Sequence, residues 1–391
     1  MMMRGIRLDL SECAKIECAL AFIIIISTIL HQKAVISLCF ALSFVVLMAY
    51  TLYQTAVVGT DASVLALVYL AVMNVLINAF ISGKLGVSFD YLKKVIMFSA
   101  FVLFMHFSCL EPVNKDVAKY ILWLPCIAGI ILILSYYFGG NTRTIAGGIT
   151  LSFSNPNFAG MWLFHISVFF FVLGVSPGRS ILFRISCFLF YAILVKMILL
   201  TKTRSCMIGV VLFLALCFAG LFWKNRIVAK PGVILFITIL PIVVVFIYST
   251  LLSSDLFLRM FEFVSSEGKG LDSRLGVWSP AIEALKKNFL FGDYYGISDG
   301  TGMSQMHNTH LDVICSYGVI PFIMFLRLLY NCIFQMTQKP YCYENYCALC
   351  GFLSVVVLGI FEAAVVAGSM GLNILTVVLL ILSNRTQMRN A

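Results

Sequence analysis

Residues 231–252 read PGVILFITILPIVVVFIYSTLL, a run without any charged side chain that is long enough to cross a bilayer. Similar runs recur along the whole chain, in which 61% of the 391 residues are hydrophobic and only 11% are charged. A soluble globular chain carries about 25% charged residues, so this composition is typical of a membrane protein. A helix satisfies its own backbone hydrogen bonds in lipid, and the sequence therefore predicts an all-α polytopic membrane protein.

The apolar runs predict about twelve transmembrane helices. They lie approximately at residues 14–31, 34–54, 62–82, 95–110, 119–138, 158–176, 181–200, 205–223, 231–252, 308–336, 346–365 and 368–384. The first run follows Arg4, Arg7 and Lys15 and so resembles a signal peptide, but no small-residue cleavage site comes after it. We therefore expect this run to be retained as the first helix.

The distribution of Lys and Arg over the short loops favours both termini in the cytoplasm, because positive charge is retained on that side. In this orientation the one long polar loop, residues 253–307, lies outside the membrane. We therefore expect helices one to nine in residues 1–252, an outward-facing loop with short helices in residues 253–307, and helices ten to twelve in residues 308–391. The net charge of +10 is spread along the chain, with no run that would indicate nucleic-acid binding.

The long loop contains a predicted helix of its own. Residues 272–287 begin with Asp and Ser, which are good helix caps, and place Trp278, Ile282 and Leu285 on one face. Arg274 lies one turn before Trp278. A Gly-rich stretch with two aspartates follows and predicts a flexible connection.

Two cations lie between the seventh and eighth predicted spans, in the sequence Thr201-Lys202-Thr203-Arg204-Ser205. A charge at membrane depth is costly and usually faces a cavity or a partner. One interpretation is an interfacial arginine that extends to the lipid headgroups. The other is a guanidinium that binds phosphate through two parallel hydrogen bonds, with Arg274 as a second cation.

His307 and Asn308 lie where the long loop re-enters the membrane. A neutral imidazole at this position can accept a proton from a sugar hydroxyl. His310 lies one helical turn later and is either a partner or a bystander. The sequence Asn155-Pro156-Asn157 opens the sixth span, where proline after an asparagine cap is also explained by helix initiation alone.

Three further ionisable residues, Asp312, Arg327 and Glu362, fall in or near the tenth and eleventh spans. Such residues suggest function, but an internal Arg327–Glu362 pair explains two of them equally well. A C-x4-C-x2-C spacing at residues 342–350 gives three thiols without a nearby histidine, which makes a weak zinc site. We therefore expect neither a metal nor another cofactor.

Several short motifs occur together in a fixed order. They are Asn155-Pro156-Asn157, Thr203-Arg204-Ser205, Arg274 followed by Trp278, Phe291-Gly292-Asp293, His307-Asn308 and Tyr317-Gly318. With these motifs the chain resembles the O-antigen ligase and O-antigen polymerase superfamily of bacterial membrane enzymes. One departure is that Asp293-Tyr294-Tyr295 interrupts the usual run of glycines.

The resemblance implies a helical, GT-C-like glycosyltransferase fold in the bacterial inner membrane, with a metal-independent active site at the outer face. It implies a glycan donor linked to undecaprenyl pyrophosphate, a glycan or lipid acceptor, and work alongside surface-polysaccharide assembly machinery. Arg204 and Arg274 would stabilise the departing diphosphate, and His307 would orient or deprotonate the acceptor hydroxyl, with inversion at the anomeric carbon. The residues expected to bind substrate are Lys202, Asn308, Trp278, Asn157 and His310.

Polymerase and ligase activities differ only in the acceptor, and the sequence favours polymerase only slightly. The alternative class is a transporter, such as a flippase of lipid-linked oligosaccharides. Transporters often contain two related halves, which are not visible here. A membrane scaffold without enzymatic activity is a third and weaker interpretation.

Overall fold

A computed structural model describes most of the chain. The described residues are 10–29, 33–58, 62–81, 89–110, 115–138, 144–145, 147–151, 153, 155–223, 228–252, 272–292, 306–338, 341–362 and 370–383. Parts of the predicted outer loop, residues 253–271 and 293–305, lie outside this range, and so does Asp293.

The described residues are almost entirely helical. In chain order the helices are α1 (Leu10–Ile29), α2 (Lys33–Val58), α3 (Ser63–Ile81), α4 (Phe89–Leu110), α5 (Lys115–Phe138), α6 (Pro156–Val175), α7 (Ile181–Thr201), α8 (Arg204–Trp223), α9 (Pro231–Leu252), α10 (Asp272–Lys287), α11 (Thr309–Tyr317), α12 (Val319–Thr337), α13 (Tyr343–Leu358) and α14 (Met370–Ser383). Between α5 and α6, β1 (Thr144–Ile145) pairs antiparallel with β2 (Gly148–Ile149). The sequence did not predict this hairpin, because two-residue strands leave no periodic pattern.

Among the described residues, five helices are long and apolar enough to cross a membrane. They comprise Pro156–Val175, Ile181–Thr201, Arg204–Trp223, Pro231–Tyr248 and Val319–Thr337. Shorter apolar helices occur elsewhere among the described residues. The helical membrane class is therefore confirmed, whereas the twelve spans, their orientation and the three-part division of the chain stay predictions.

Each predicted span overlaps a helix, but the tenth one is broken into α11 and α12 at Gly318. Gly318 has φ +83° and ψ 176°, a conformation that is essentially restricted to glycine. A methyl group there would clash with the backbone carbonyl of Leu290. The N–H of Val319 instead donates to the carbonyl of Phe289 at 3.1 Å. The segment that follows α10 therefore packs directly against the break.

Two asparagines of α3 complete this junction. Asn74 Nδ2 donates to the carbonyl of Tyr317 at 2.6 Å, and Asn78 Nδ2 donates to the carbonyl of Phe291 at 2.7 Å. Both carbonyls lie at or just after the end of a helix, where no helical N–H is available to donate to them. The two side chains thus satisfy backbone groups that would otherwise be unpaired inside an apolar bundle.

Helix α6 forms the centre of the bundle. Its side chains from Ala159 to Phe170 are all buried, and Trp162, Phe164 and Phe169 are almost fully so. It packs against α5, α7, α8, α13 and α14. Because α6 packs against five helices, its first turn is anchored in the bundle, and the candidate site lies at that end.

Candidate functional site

A histidine, a glutamate and an asparagine from distant parts of the sequence meet at one end of the bundle. His307 Nδ1 lies 3.3 Å from Glu362 Oε2, and Asn157 Nδ2 donates to Glu362 Oε1 at 3.0 Å. Glu362 is buried, with 5% of its side chain exposed, whereas 39% of the His307 side chain is exposed. The carboxylate is therefore fixed in the protein, and the imidazole faces outward.

The contact with Glu362 assigns a tautomer to His307 by hydrogen-bond chemistry. An ionised carboxylate only accepts hydrogen bonds, so Nδ1 of His307 carries the proton that is shared with Glu362. The Nε2 atom is then left with a free lone pair, on a side chain that is 39% exposed. A base that is oriented by a buried acid in this way is the general arrangement for activating a hydroxyl group.

His307 has a strained backbone, with φ +48°. A non-glycine residue in the left-handed region needs support from its surroundings. Part of that support comes from Trp278, whose indole Nε1 donates to the carbonyl of Met306 at 2.8 Å. Trp278 is 2% exposed and packs edge-on against Tyr248. Trp278 therefore fixes the position of Met306, the residue before His307.

Asn308 caps α11 and ties it to two other elements. Its Oδ1 accepts from the N–H of Leu311 at 2.9 Å, the usual role of an N-cap. Its Nδ2 donates to the carbonyls of Pro241 at 2.9 Å and Ile360 at 3.1 Å. Pro241 lies inside α9, so Asn308 joins the start of α11 to the middle of that helix. Asn308 is fully buried and holds His307 in place from the other side.

Glu362 is positioned by the turn that ends α13. The N–H of Thr309 donates to the carbonyl of Gly359 at 2.9 Å, and Thr309 Oγ1 donates to the carbonyl of Glu362 at 3.3 Å. A methyl group on Gly359 would lie 3.0 Å from Thr309 Oγ1, so the two segments are in close contact. The start of α11 and the end of α13 therefore form one unit that contains both His307 and Glu362.

His310 belongs to the framework beneath this unit. It is fully buried, and its Nε2 lies 2.6 Å from the carbonyl of Thr238 in α9. Because a carbonyl only accepts, Nε2 carries the proton in this contact. The ring also lies edge-on to Phe322 and Phe325. This environment leaves His310 away from the exposed edge of His307.

The motif at residues 155–157 serves two purposes. Asn155 is the N-cap of α6, and its side chain accepts from the N–H of Phe158 at 2.8 Å. Pro156 occupies the first helical turn, where its missing N–H costs nothing. Helix initiation therefore explains these two residues. Asn157 is different, since its amide reaches out of the helix to Glu362.

The turn between α7 and α8 lies beside this motif and presents two cations. Lys202 has φ +57° and is exposed, and the exposed Arg204 is the first residue of α8. Between them, Thr203 Oγ1 donates to the carbonyl of Pro156 at 3.0 Å. A methyl group on Gly160 would lie 2.8 Å from Thr203 Oγ1, so glycine permits this close approach. The turn is thereby attached to the first turn of α6, next to Asn157.

The β-hairpin packs on the same turn. A methyl group on Gly148 would clash with the carbonyl of Thr201, and one on Gly147 would lie 2.8 Å from Lys202 Nζ. Gly147 itself has φ +74°. The hairpin therefore runs beside the Lys202 ammonium group and forms part of the wall around the site.

Arg274 lies in the first turn of α10, one turn before Trp278. Its side chain is outside the described part of the structure. Its backbone position is nonetheless linked to the site, because Trp278 is bonded to the residue before His307. Helix α10 runs over the residues for which the sequence predicted a helix, with Val277, Trp278, Ala281 and Leu285 buried and Ile282 at the edge of that face.

The intramembrane charges are arranged differently from the simplest sequence interpretation. Asp312 accepts from Lys94 Nζ of α4 at 2.9 Å, which pairs α11 with α4. Glu362 contacts His307 and Asn157, so it is not the partner that the sequence suggested for Arg327. Arg327 lies on α12 and lines a separate cavity.

No group of three or more His, Cys, Asp or Glu side chains is placed to hold a metal ion in the described part of the chain, and this includes the cysteines of residues 342–350. Sequence reasoning did not assign Glu362 to the site. It lies at the end of an apolar run about fifty residues after His307, and spacing alone did not connect the two residues.

Comparison with protein families gives one match. Residues 188–326, about a third of the chain, match a family described as O-antigen ligase. The matched segment contains the Lys202–Arg204 turn, α10 and the His307–Asn308 motif, whereas Asn157 and Glu362 lie outside it. No curated protein matches the chain. The family match confirms, over residues 188–326, the relationship to the O-antigen ligase and O-antigen polymerase superfamily that the motifs predicted.

Proposed function

We propose that this protein is a membrane glycosyltransferase that moves a glycan from undecaprenyl pyrophosphate to the hydroxyl group of an acceptor. The observation that carries the proposal is the outward-facing His307, oriented by the buried Glu362, close to the turn that presents Lys202 and Arg204. The family match over residues 188–326 supports a glycan-processing reaction of the O-antigen ligase type.

In the proposed reaction, His307 is the base. Its Nε2 accepts the proton of the acceptor hydroxyl as the oxygen attacks the anomeric carbon. The new carbon–oxygen bond forms while the bond from the anomeric carbon to the diphosphate oxygen breaks. The diphosphate leaves with the electron pair, and in-line displacement inverts the anomeric configuration. Glu362 stabilises the imidazolium that forms, because its carboxylate already accepts from Nδ1.

The cations act on the leaving group. Negative charge develops on the bridging oxygen as the diphosphate departs, and positive groups fixed nearby stabilise that charge. Arg204 and Lys202 are exposed beside the first turn of α6 and are positioned to contact the diphosphate. Arg274 completes the proposed clamp from α10. We propose that the reaction needs neither a metal nor a cofactor, since these cations balance the negative charge of the departing diphosphate.

The residues around His307 divide into two groups under this proposal. Lys202 and Asn157 lie at the exposed edge and are placed to contact substrate or, for Asn157, to hold Glu362. Asn308, Trp278 and His310 are buried and bonded to backbone carbonyls. We propose that these three residues position His307 and do not touch the glycan, which narrows the role that the sequence suggested for them.

The surrounding helices suit a donor with a long polyprenyl chain. Five helices can cross a membrane, and many of their apolar side chains are exposed on the bundle surface. The hydrocarbon tail can therefore remain in lipid while the diphosphate reaches the end of the bundle. We propose that this end faces the outside of the bacterial inner membrane, with both termini in the cytoplasm, and that the enzyme works with surface-polysaccharide assembly machinery.

Polymerase and ligase activities are separated by the acceptor. The test is reconstitution of the purified protein in liposomes with a lipid-linked oligosaccharide, with and without a separate lipid acceptor. Longer lipid-linked chains would identify a polymerase, and transfer to the separate acceptor would identify a ligase. The His307→Ala variant serves as the control for enzymatic product. As a control for the donor, a known transferase must consume it. If the wild-type protein then forms neither product from this donor, the proposal is contradicted.

A further inference from the structure

A polar cavity lies between α3, α4 and α12. Its volume is about 210 Å³, and five polar side chains line it: Ser63, His106, Arg327, Asn331 and Gln335. The remaining described lining residues are apolar or weakly polar, namely Val64, Leu67, Met324, Leu328 and Cys332. The combination of one cation, several hydrogen-bonding groups and an apolar wall distinguishes this cavity from a packing defect, which would be lined by carbon atoms alone.

This cavity is at the opposite end of the bundle from His307. Ser63 is the first residue of α3, and His106 lies in the last turns of α4. The other ends of these two helices carry Asn78, which contacts Phe291, and Lys94, which pairs with Asp312. The cavity and the candidate active site therefore lie at opposite ends of α3 and α4, and no residue is common to both.

Arg327 is the unusual group in the cavity. It lies in the middle of α12, a helix that is apolar enough to cross a membrane. It forms no hydrogen bond or ion pair with any described residue, and none of the described lining residues carries a carboxylate. A guanidinium in a membrane-spanning helix is costly unless it meets water, lipid headgroups or a polar or anionic partner. The Arg327 side chain is exposed, so its guanidinium at the cavity is accessible to an anionic ligand.

The arrangement on α12 indicates what kind of anion fits. Arg327, Asn331 and Gln335 follow one another at intervals of four residues, so they form one polar stripe on the helix. Toward the N-terminus of α12 the same face of the helix becomes apolar, with Ile320 and Ile323 that are 49% and 58% exposed. A ligand that places its phosphate among the polar groups can therefore lay alkyl chains along the exposed isoleucines.

We propose that this cavity binds the phosphate headgroup of an anionic lipid, with Arg327 as the main contact and His106, Asn331 and Gln335 as neighbouring hydrogen-bonding groups. Guanidinium is suited to this role because its planar fork donates two parallel hydrogen bonds to phosphate oxygens. Basic pockets between membrane helices are a recurrent way of recognising such headgroups. The site is independent of the proposed transferase reaction.

The test measures lipid retention by native mass spectrometry. The full-length protein is placed in nanodiscs that contain equal amounts of phosphatidylglycerol and phosphatidylcholine, then released, and the bound lipids are counted. Arg327→Gln removes the cation with little change in size. Lys196→Gln is the matched control, because it removes one exposed cation from another apolar helix, α7, away from the cavity.

We expect the wild type and Lys196→Gln to retain phosphatidylglycerol in preference to phosphatidylcholine. Arg327→Gln should lower this preference about tenfold, the size expected for the loss of a hydrogen-bonded charge. Equal retention by Arg327→Gln and the wild type would overturn the proposal. So would an equal decrease in Lys196→Gln, since it would indicate a general effect of surface charge.

Two further arms keep the result decisive. If Arg327→Gln is not monodisperse, Asn331→Leu takes its place, because it keeps the charge and removes an amide from the same stripe. Retention at the wild-type level in Asn331→Leu would then count against the site. Titration with sodium phosphate and sodium diphosphate separates a lipid from a soluble anion. We expect millimolar phosphate not to displace phosphatidylglycerol, and full displacement would overturn the assignment to a lipid.

Discussion

His307 shows how a single residue depends on contacts that are remote in sequence. Its φ of +48° is maintained by the Trp278 contact to Met306 and by the Asn308 cap, and its tautomer is set by Glu362. The sequence predicted a base at His307 from its position at a membrane edge. The acid that orients this base, Glu362, was not predicted. The residues next to Glu362 in the sequence do not indicate which distant side chain it contacts.

Glu362→Gln is expected to lower the transfer rate about 10- to 100-fold, since loss of the orienting charge destabilises the imidazolium and frees the ring. The measurement is kcat and KM in the reconstituted transfer assay. Glu344→Gln is the matched control. Glu344 is also a buried glutamate, but it lies in the first turn of α13, whereas Glu362 follows the end of that helix. Its Oε1 accepts a hydrogen bond from Ser176 Oγ at 2.7 Å. Equal rates for Glu362→Gln and wild type would remove Glu362 from the mechanism.

His307→Ala should lower turnover by about two to four orders of magnitude, the usual contribution of a general base. Donor binding should change much less, because the diphosphate is assigned to the cations and not to the imidazole. Turnover and binding of a lipid-linked donor are measured on the same preparation. A decrease in donor binding as large as the decrease in turnover would make His307 a binding residue.

Arg204→Ala is expected to lower transfer about 10²- to 10³-fold, as loss of one group that stabilises the leaving charge does in other enzymes. The control is Arg179→Ala, which removes an exposed arginine from the turn between α6 and α7. Arg179 lies over the ring of Phe183 and is distant in sequence and structure from the Arg204 turn. Wild-type activity in Arg204→Ala would contradict the proposed clamp.

At the scale of elements, the most informative feature is the break between α11 and α12. An apolar run predicts a continuous helix over residues 308–336, but Gly318 interrupts this helix. The segment after α10 packs against the backbone at Gly318. Gly292, with φ +75°, packs in the same junction against the carbonyl of Cys315. The Phe291-Gly292 and Tyr317-Gly318 motifs therefore have a structural explanation. They allow two backbone segments to approach without side chains between them.

Gly318→Ala tests this explanation. The change forces a side chain into a conformation restricted to glycine, at a cost of about 1–3 kcal/mol, and adds a clash with Leu290. We expect a clearly lower midpoint of thermal unfolding in detergent, followed by fluorescence or light scattering. Gly232→Ala is the control, because no atom lies within 4 Å of a methyl group at that position. Similar midpoints for both variants would contradict the role of Gly318.

For the whole molecule, the connections in the described part of the chain fall at two ends of the bundle. The β-hairpin, the turn between α7 and α8, the start of α11 and the end of α13 all meet at one end. Alternate counting along the predicted spans assigns these four segments to the same side of the membrane. The start of α3 and the end of α4 lie together at the other end. The number of spans and their orientation in the cell stay predictions.

The orientation is tested with reporter fusions. Alkaline phosphatase fused near Gly300 should be active, because residues 253–307 are expected outside, and green fluorescent protein should be dark there when exported by the general secretory route. Fusions at Arg226, in the loop before α9, should give the opposite pattern. An active phosphatase at Arg226 with an inactive one at Gly300 would reverse the topology and place the candidate site in the cytoplasm.

The sequence alone determined the class of this protein and most helix positions, and it predicted His307, Lys202 and Arg204 as site residues but not Glu362. Apolar runs and turn residues carry that information locally, since lipid forces each span to satisfy its own backbone. The tertiary structure decided which polar residues meet. It joined His307 to Glu362 and Asn157, divided the tenth span at Gly318, and left Arg327 in a separate cavity. These results depend on contacts between residues far apart in the chain, which only packing of the helices brings together.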